Sequence, residues 1–353
     1  ELGKRFGFVR QEIYGVVVAG NSTMREIFFK LDVQSIGQRP YKSRVEEEYL
    51  AGERETTSLL EGTRRLGLRA NPKAKVYGIP LIASHVGADV AADLVAIDMD
   101  ETSESAMLVD VGTNTEVVIA HEGRLVAASC PAGPAFEGGG ITYGMPGYEG
   151  AIESMHWSGE TWQYTTIAGA TPEGLCGSGL IDLLAELRRH ELMTPKGVFA
   201  EKKRQLELVP EHGITFSRLD ASNLAQAKAA NYCGQYIVLR ALGLDPGHVE
   251  TLYLAGGFAN YVDTSNAINI GFIAPVPENR VVKVGNAALE GATIMLINSE
   301  MRSVIEDMTK RIEHVELETI PDFFDIWAYN RMSIRHDMHQ TQCSLPSCPV
   351  FAA

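Results

Sequence analysis

The sharpest chemical signal in the sequence is Asp110-Val-Gly112-Thr113-Asn114-Thr115-Glu116, with apolar β-formers on both sides. A tight turn with Gly112 near its tip lets backbone N–H groups approach phosphate oxygens, and Thr113, Asn114 and Thr115 add side-chain donors. Asp110, at the end of its strand, is placed to hold a Mg2+-bound water, because Mg2+ keeps most of its waters and commonly uses one carboxylate. Taken alone, the same residues also describe an ordinary polar β-turn. The second signal is Leu254-Ala-Gly256-Gly257-Phe258, where a strand ending in paired glycines offers a flat backbone surface to a base and ribose. A turn that merely needs positive φ reads equally well there. Gly177-Ser178-Gly179 opens a helix whose N-terminus favours anions, and Cys176 beside it reads better as a small buried residue than as a thiolate. Gly20-Asn21-Ser22-Thr23 repeats the theme at the end of an earlier strand.

Carboxylates and a histidine complete the candidates. The segment from Cys130 to Gly140 carries two prolines and four glycines and has no helix or strand period, so a surface loop or lid is expected. Glu137 within it could orient an attacking water, whereas Glu149 and Glu153 read as solvated. His85 and Asp89 are four apart on one expected helix face, a spacing compatible with a metal pair. With no third ligand in view, capping and core packing is the better reading.

These residues need elements to hold them. Gly15 to Gly20 reads as a buried strand followed by a helix from Met24 to Leu31. A helix is expected within Glu53 to Leu66, a strand over Val76 to Ile82, and an Ala-rich helix opened by His85 and ending near Ile97. Ala106 to Asp110, Glu116 to Ala120 and Arg124 to Ser129 are three strands. The turn at 111–115 therefore joins two strands, unlike the strand–turn–helix of a dinucleotide or Walker site. Thr165 to Ala168 is a short strand and Leu180 to Arg189 a helix. A hairpin or loose strands are expected within 194–220, and Asp220-Ala-Ser222 is a plausible N-cap for a helix through Leu242. Thr251 to Leu254 is a strand, Asn286 to about Lys310 a helix, and His314 to Glu318 an alternating strand. Nothing regular is expected past Ile326.

Bulk properties narrow the classes. With 353 residues, two lobes or domains are expected. The net charge of −14 argues against nucleic acid and anionic membrane as partners, though backbone N–H groups can still bind a nucleotide. No apolar run is long enough to span a bilayer, and the charged start does not read as a secretory signal. Five scattered cysteines suggest neither a disulfide framework nor the roughly four close thiolates of an iron–sulfur cluster. A reduced, cytoplasmic protein is the expectation. The chain lacks an initiator Met and reads as a fragment.

In combination the motifs say more than they do singly. A D-x-G-T turn, then a glycine helix start, then a strand running into Gly-Gly is the order of actin-like ATPases. The series Val18-Ala-Gly-Asn-Ser-Thr-Met24, Ser84-His-Val-Gly-Ala-Asp89, Asp110 to Glu116, Cys130 to Gly139, Gly177 to Asp182, Leu254 to Phe258 and Val284-Gly-Asn-Ala-Ala288 resembles the ATPase domain of the reductive activators of corrinoid-dependent enzymes. The resemblance runs from about Ile13 to Asp325. It implies an α/β, actin-like (ASKHA) ATPase fold with two lobes of mixed sheet flanked by helices, the first lobe incomplete. The expected division is a partial first lobe over 1–100, a second lobe over 101–326 and an irregular tail over 327–353, with ATP between the lobes.

The resemblance also implies activity and partners. ATP would help reduce a Co(II) corrinoid to Co(I) on a corrinoid protein of a methyltransferase system, with a homodimer left open. Asp110, Gly112, Thr113 and Asn114 would contact phosphate and Mg2+, Gly256 and Gly257 would back the adenosine, and the loop from Cys130 to Gly140 would report nucleotide state. Catalysis is thus expected from Asp110 and Glu137. Gly20, Asn21, Ser22, Thr23, Thr115, Gly177, Ser178 and Gly179 are further nucleotide contacts. Two departures stand out: no cysteine set for the family's iron–sulfur module, and no first D-x-G-T-T-T loop ahead of Gly20. Iron–sulfur chemistry is therefore expected outside this chain, and Cys343 and Cys348 inherit no role. The rivals are a small-molecule kinase or dehydratase activator of the same fold, and a non-catalytic module that docks on a corrinoid protein.

Overall fold

In the computed structural model, residues 2–332 are described, apart from 101, 103, 195 and 196. Cys343, Cys348 and the rest of 333–353 lie outside the described residues. The chain forms two compact units that interleave along the sequence. The first comprises 1–110, 116–129 and 284–316, and the second 111–115, 130–283 and 317–353. The strands after residue 105, expected to start the second lobe, thus pack with the first unit up to residue 129.

In the first unit, the valine-rich strand Gly15–Val18 pairs in parallel with Lys75–Gly78, Val16 lying opposite Val76. Leu59–Gly62 adds to the other edge, antiparallel. Phe29, Val45, Leu59, Leu66 and Val76 form one apolar core beneath them. Ala106–Val111, Thr115–His121 and Arg124–Cys130 are successive neighbours, and Ile312–His314 runs parallel to the last of them. Met107, Leu108, Val109, Val117, Val118 and Ile119 are fully buried, which explains their unbroken apolar runs. The helix Ala88–Ala96 packs on the helix Ala287–Ile297. The approach is so close that a Cβ on Gly291 would collide with the Ala92 carbonyl, which accounts for a glycine inside a helix.

In the second unit, Ala151–Trp157 is the middle strand of three. It is antiparallel to Trp162–Thr166 and parallel to Gly174–Leu175, and the helix Gly177–Arg189 lies on it. Gln205–Val209 and Ile214–Ser217 form the hairpin expected in that region. The 24-residue helix Arg218–Ala241 follows, and Thr251–Ala255 supplies a further strand. No described helix is long and apolar enough to cross a membrane.

Several local expectations are corrected. Glu53 to Leu66 is not one helix but a strand, Leu59–Gly62, and a single helical turn, Thr63–Leu66. Thr57 Oγ1 donates to the Leu81 carbonyl at 2.7 Å and the Thr57 carbonyl accepts from the buried Arg25 at 2.5 Å, so tertiary bonds hold this segment extended. His85 lies in a tight turn ahead of the helix that begins at Ala88, so it does not share a helix face with Asp89. The long helix is capped by Ser217, not at Asp220-Ala-Ser222. Ser217 Oγ accepts from Asp220 N at 3.1 Å while Asp220 Oδ2 accepts from Ser217 N at 2.8 Å, a reciprocal capping box. Asn286 to Lys310 is two helices, broken where Asn298 adopts extended φ/ψ and its side chain accepts from Glu300 N. The alternating strand at 314–318 reduces to Ile312–His314. The segment from 327 is helical as far as it is described, within Phe323–Met332, which packs on the long helix while Arg240 pairs with Asp322 at 2.6 Å. Finally, the stretch after Cys130 is not a loose surface loop. Ala135, Phe136 and Ile141 are buried, and Phe136 meets the ring of Phe272 edge-on at 4.8 Å.

Candidate functional site

A cavity of about 510 Å3 opens in the second unit, within the usual size range of small-molecule sites. Three of the sequence motifs meet in its wall: Gly112 from the hairpin turn, Gly177 and Ser178 from the helix start, and Gly257 from the strand end. Glu137 joins them from the single 3-10 turn Pro134–Glu137. Phe136, Phe258, Tyr261, Met145 and Ile167 supply apolar surface, enough to receive a flat aromatic group. No described Lys, Arg or His lines the cavity, so an anion there would be met by N–H and O–H donors or by a cation brought with it.

Local backbone chemistry explains the convergence. The turn at 112–114 is closed by Gly112 N donating to the Asn114 carbonyl at 2.9 Å. Thr113 Oγ1 donates to Glu137 Oε2 at 2.8 Å, tying the turn to the residue expected to orient water. Gly256, at φ +117°, has no room for a side chain because a Cβ would strike the Val111 carbonyl. The strand end therefore lies directly on the hairpin turn, and the next residue, Gly257, faces open space. Cys176 is the N-cap of the helix Gly177–Arg189, has extended φ/ψ, and makes no side-chain cap. Its buried thiol lies 3.4 Å from the Ile152 carbonyl and from Ser178 Oγ, as expected of a packed structural residue.

Other candidates fall elsewhere. Gly179 is buried beneath the Ile152 carbonyl, and neither it nor Gly256, Asn114 or Thr115 lines the cavity. Thr115 is fully buried, and its hydroxyl lacks a hydrogen-bond partner among the described residues. Gly20 to Thr23 belong to the first unit, where they build a corner. Asn21 Oδ1 accepts from Met24 N at 2.9 Å, and the Gly20 carbonyl accepts from Ala88 N at 3.1 Å.

Asp110 is half-buried in the first unit, beside the buried acids Asp93 and Glu116. Burial pushes its carboxyl up to about 6, and the negative charge of Asp89 adds to the rise while a hydrogen bond with Asp93 opposes it. Asp93 is raised well above the carboxylate range by burial first and by Asp110 second, and Glu116 by burial with Asp89 and Asp110 behind it. Ser129 Oγ donates to Glu116 at 3.0 Å. Asp93 Oδ2 has no donor among the described residues, and the hydrogen bond between the two aspartates raises Asp93 while it lowers Asp110. Two hard oxygen groups that together need a positive partner suit a Mg2+ held through water. No described group of three or more His, Cys, Asp or Glu is arranged to chelate a metal outright.

Two residues went undervalued in the sequence. Asp93 carries no assigned role in the sequence, and its only signal is that it stands four residues after Asp89 in an Ala-rich helix. Glu153 reads as solvated, yet it lines the cavity. A second, more polar cavity of about 620 Å3 holds no candidate residue. Its buried Glu186 already accepts from Trp157 N, with His156 at 2.9 Å and Arg189 in contact, and Asp182 accepts from Met155 N and Asn266.

Comparison with known proteins identifies the family and the fold. The chain is 30% identical over 356 residues to the corrinoid activation enzyme RamQ of Eubacterium limosum, covering 94% of this chain and 58% of that protein. It is 26% identical over 271 residues to the [Co(II) methylated amine-specific corrinoid protein] reductase of Methanosarcina barkeri, covering 69% and 49%. The chain thus spans about half the length of the curated relatives it matches. A solved structure titled reductive activator for corrinoid, iron-sulfur protein superposes with a TM-score of 0.84 at 30% identity, covering 98% of this chain and 56% of that one. The fold is therefore the actin-like ASKHA fold. The model of the RACo middle region matches residues 1–102, and the model described as the C-terminal domain of RACo, the ASKHA domain, matches 104–344. The chain belongs to this family of corrinoid-protein reductive activators.

Proposed function

We propose that this chain is the ATP-binding and ATP-hydrolysing part of an activator that helps return a Co(II) corrinoid protein of a methyltransferase system to Co(I). The observation that carries the reading is the meeting of Gly112, Gly177, Ser178 and Gly257 around one cavity, with Thr113 bonded to Glu137. Backbone donors at the turn and the helix start receive phosphate oxygens, and the aromatic wall takes the base. Asp110 is the residue that would hold a Mg2+ through water, and the ion would supply positive charge for a phosphate. Hydrolysis then rests on positioning and charge stabilisation rather than on a covalent intermediate. Co(I) is too reducing for ordinary donors, so the coupling of ATP to electron transfer is the physical reason for a nucleotide site. The described cysteines, Cys130, Cys176 and Cys233, are each buried, and no described group of three or more His, Cys, Asp or Glu is arranged to hold a metal. The electron is therefore assigned to an iron–sulfur donor outside the described residues.

The test is calorimetry of MgATP and MgADP on the chain and on Asp110→Asn. Binding by the wild type and at least a tenfold weaker Kd in the variant supports the reading. Equal affinity in both removes Asp110 from the site. No binding by either folded protein refutes the nucleotide reading and favours a docking module, which would bind a corrinoid protein without nucleotide.

A further inference from the structure

Glu153 occupies a position that strand alternation alone would not create. Along the pairing of Ala151–Trp157 with Trp162–Thr166, Ile152 lies opposite Thr166 while Ser154 lies opposite Thr165. Two steps on one strand match a single step on the other, so Glu153 is the extra residue of a β-bulge. Ile152 before it is fully buried, and its carbonyl accepts from Cys176 N at 3.1 Å at the start of the helix Gly177–Arg189. The bulge then leaves two successive half-buried positions, 153 and 154. Ser154 is engaged with Thr165 at 2.6 Å, and Glu153 lines the cavity with Gly112, Glu137, Ser178 and Gly257.

The carboxylate of Glu153 differs from its acidic neighbours in being unengaged. Asp182 and Glu186, on the helix packed against the same strand, accept from its backbone N–H groups. Glu137 accepts from Thr113. Glu153 has no hydrogen-bond or ion-pair partner among the described residues. With no described cationic side chain in the wall, its lone pairs are open to water or to what water carries. A free carboxylate beside a phosphate site repels the phosphate itself, and it attracts the hydrogen of a water standing between them.

Building on the ATP-hydrolysis reading, we infer that Glu153 is the proton acceptor for the attacking water, and that the Thr113–Glu137 pair positions the turn. In that step the water oxygen forms a bond to the γ-phosphorus as the bond to the bridging oxygen of ADP breaks. The water proton passes to the Glu153 carboxylate and is released to solvent after inorganic phosphate leaves. No oxidant or further reactant is needed.

The experiment measures steady-state phosphate release from MgATP against pH, together with MgATP calorimetry, for the wild type, Glu153→Gln and Glu153→Asp. The expected result is kcat at least tenfold lower in Glu153→Gln, in line with the ~10²-fold lower bound for a positioned base. Its Kd should stay within about threefold of wild type, and Glu153→Asp should restore part of the rate. Gln keeps the shape of Glu, and an unchanged thermal midpoint shows that the fold is retained. Turnover by Glu153→Gln within twofold of an active wild type overturns the assignment alone. A wild type that neither binds nor hydrolyses MgATP overturns the hydrolytic reading, and the assignment with it.

Discussion

Replacing Asp110 with asparagine should stabilise the folded chain while it weakens nucleotide binding. The carboxyl is raised to about 6 by burial and by Asp89. Relative to an ordinary aspartate near 4, a two-unit rise corresponds to about 3 kcal/mol of penalty on the charged form. The sign follows from proton linkage. The folded state holds this proton more tightly than the unfolded state, so stability falls as pH rises from about 4 to about 6 and stays level above. Asparagine has nearly the same shape, carries no charge, and keeps an N–H for the hydrogen bond with Asp93. The advantage of Asp110→Asn should therefore be near zero at pH 4 and grow to as much as about 3 kcal/mol by pH 7. Asp93 is hydrogen-bonded to Asp110 and titrates with it, which makes that figure an upper bound. Urea unfolding at several pH values measures it. Far-UV circular dichroism is the suitable probe, because Trp157, Trp162 and Trp327 all belong to the second unit and Asp110 to the first. A variant that is less stable at pH 7.5, or an advantage with no pH dependence, would refute the account of the acidic group. A gain in stability with a loss of MgATP affinity is what a strained binding residue should show.

Two further outcomes follow from the packing of the second unit. Lys228 is 1% exposed, and burial lowers its amine to about 8. Below that pH its charge costs the folded state, and the cost fades as the unfolded chain also deprotonates toward about 10.5. Lys228→Met should thus stabilise by an amount on the order of 3 kcal/mol at pH 7 and by progressively less as pH approaches 10, as read by denaturant midpoints. Ser217→Ala removes the cap of the 24-residue helix and should lower stability by about 1 kcal/mol in the same assay, whereas Ser217→Thr should retain most of it.

The legible parts of the fold share a local cause. Ala106 to Cys130 was readable as three strands because their central residues are buried and their joints carry Gly112 and Gly123. The helix from Gly177 was readable because its glycines and apolar positions follow one another within a few residues. Errors arose where distant partners overrode local preference. Glu53 to Leu66 has helix-favouring residues, yet pairing of Leu59 with Gly78 and of Glu61 with Val76 makes part of it a strand. The cap of the long helix shifted three residues because Ser217 ends a strand and so already has the extended backbone of an N-cap. Asn298 broke an apolar helical run through a local side-chain bond that propensity does not register.

The sequence by itself determined the family and the chemistry on offer: a polar glycine turn, a glycine helix start and a Gly-Gly strand end, in the order of an actin-like ATPase. Those are short motifs whose backbone demands are met within a few residues, so their meaning survives without the fold. Only the tertiary structure decided which of them share a cavity, since Gly112, Gly177 and Gly257 are brought together by contacts across more than a hundred residues. It alone set Asp93 beside Asp110, because burial and charge coupling depend on what surrounds a side chain and not on its neighbours in sequence. The same holds for Glu153. Which way a strand residue faces depends on the register of the partner strand, and one bulge opposite Thr165 and Thr166 turned a carboxylate that reads as solvated into the wall of the cavity.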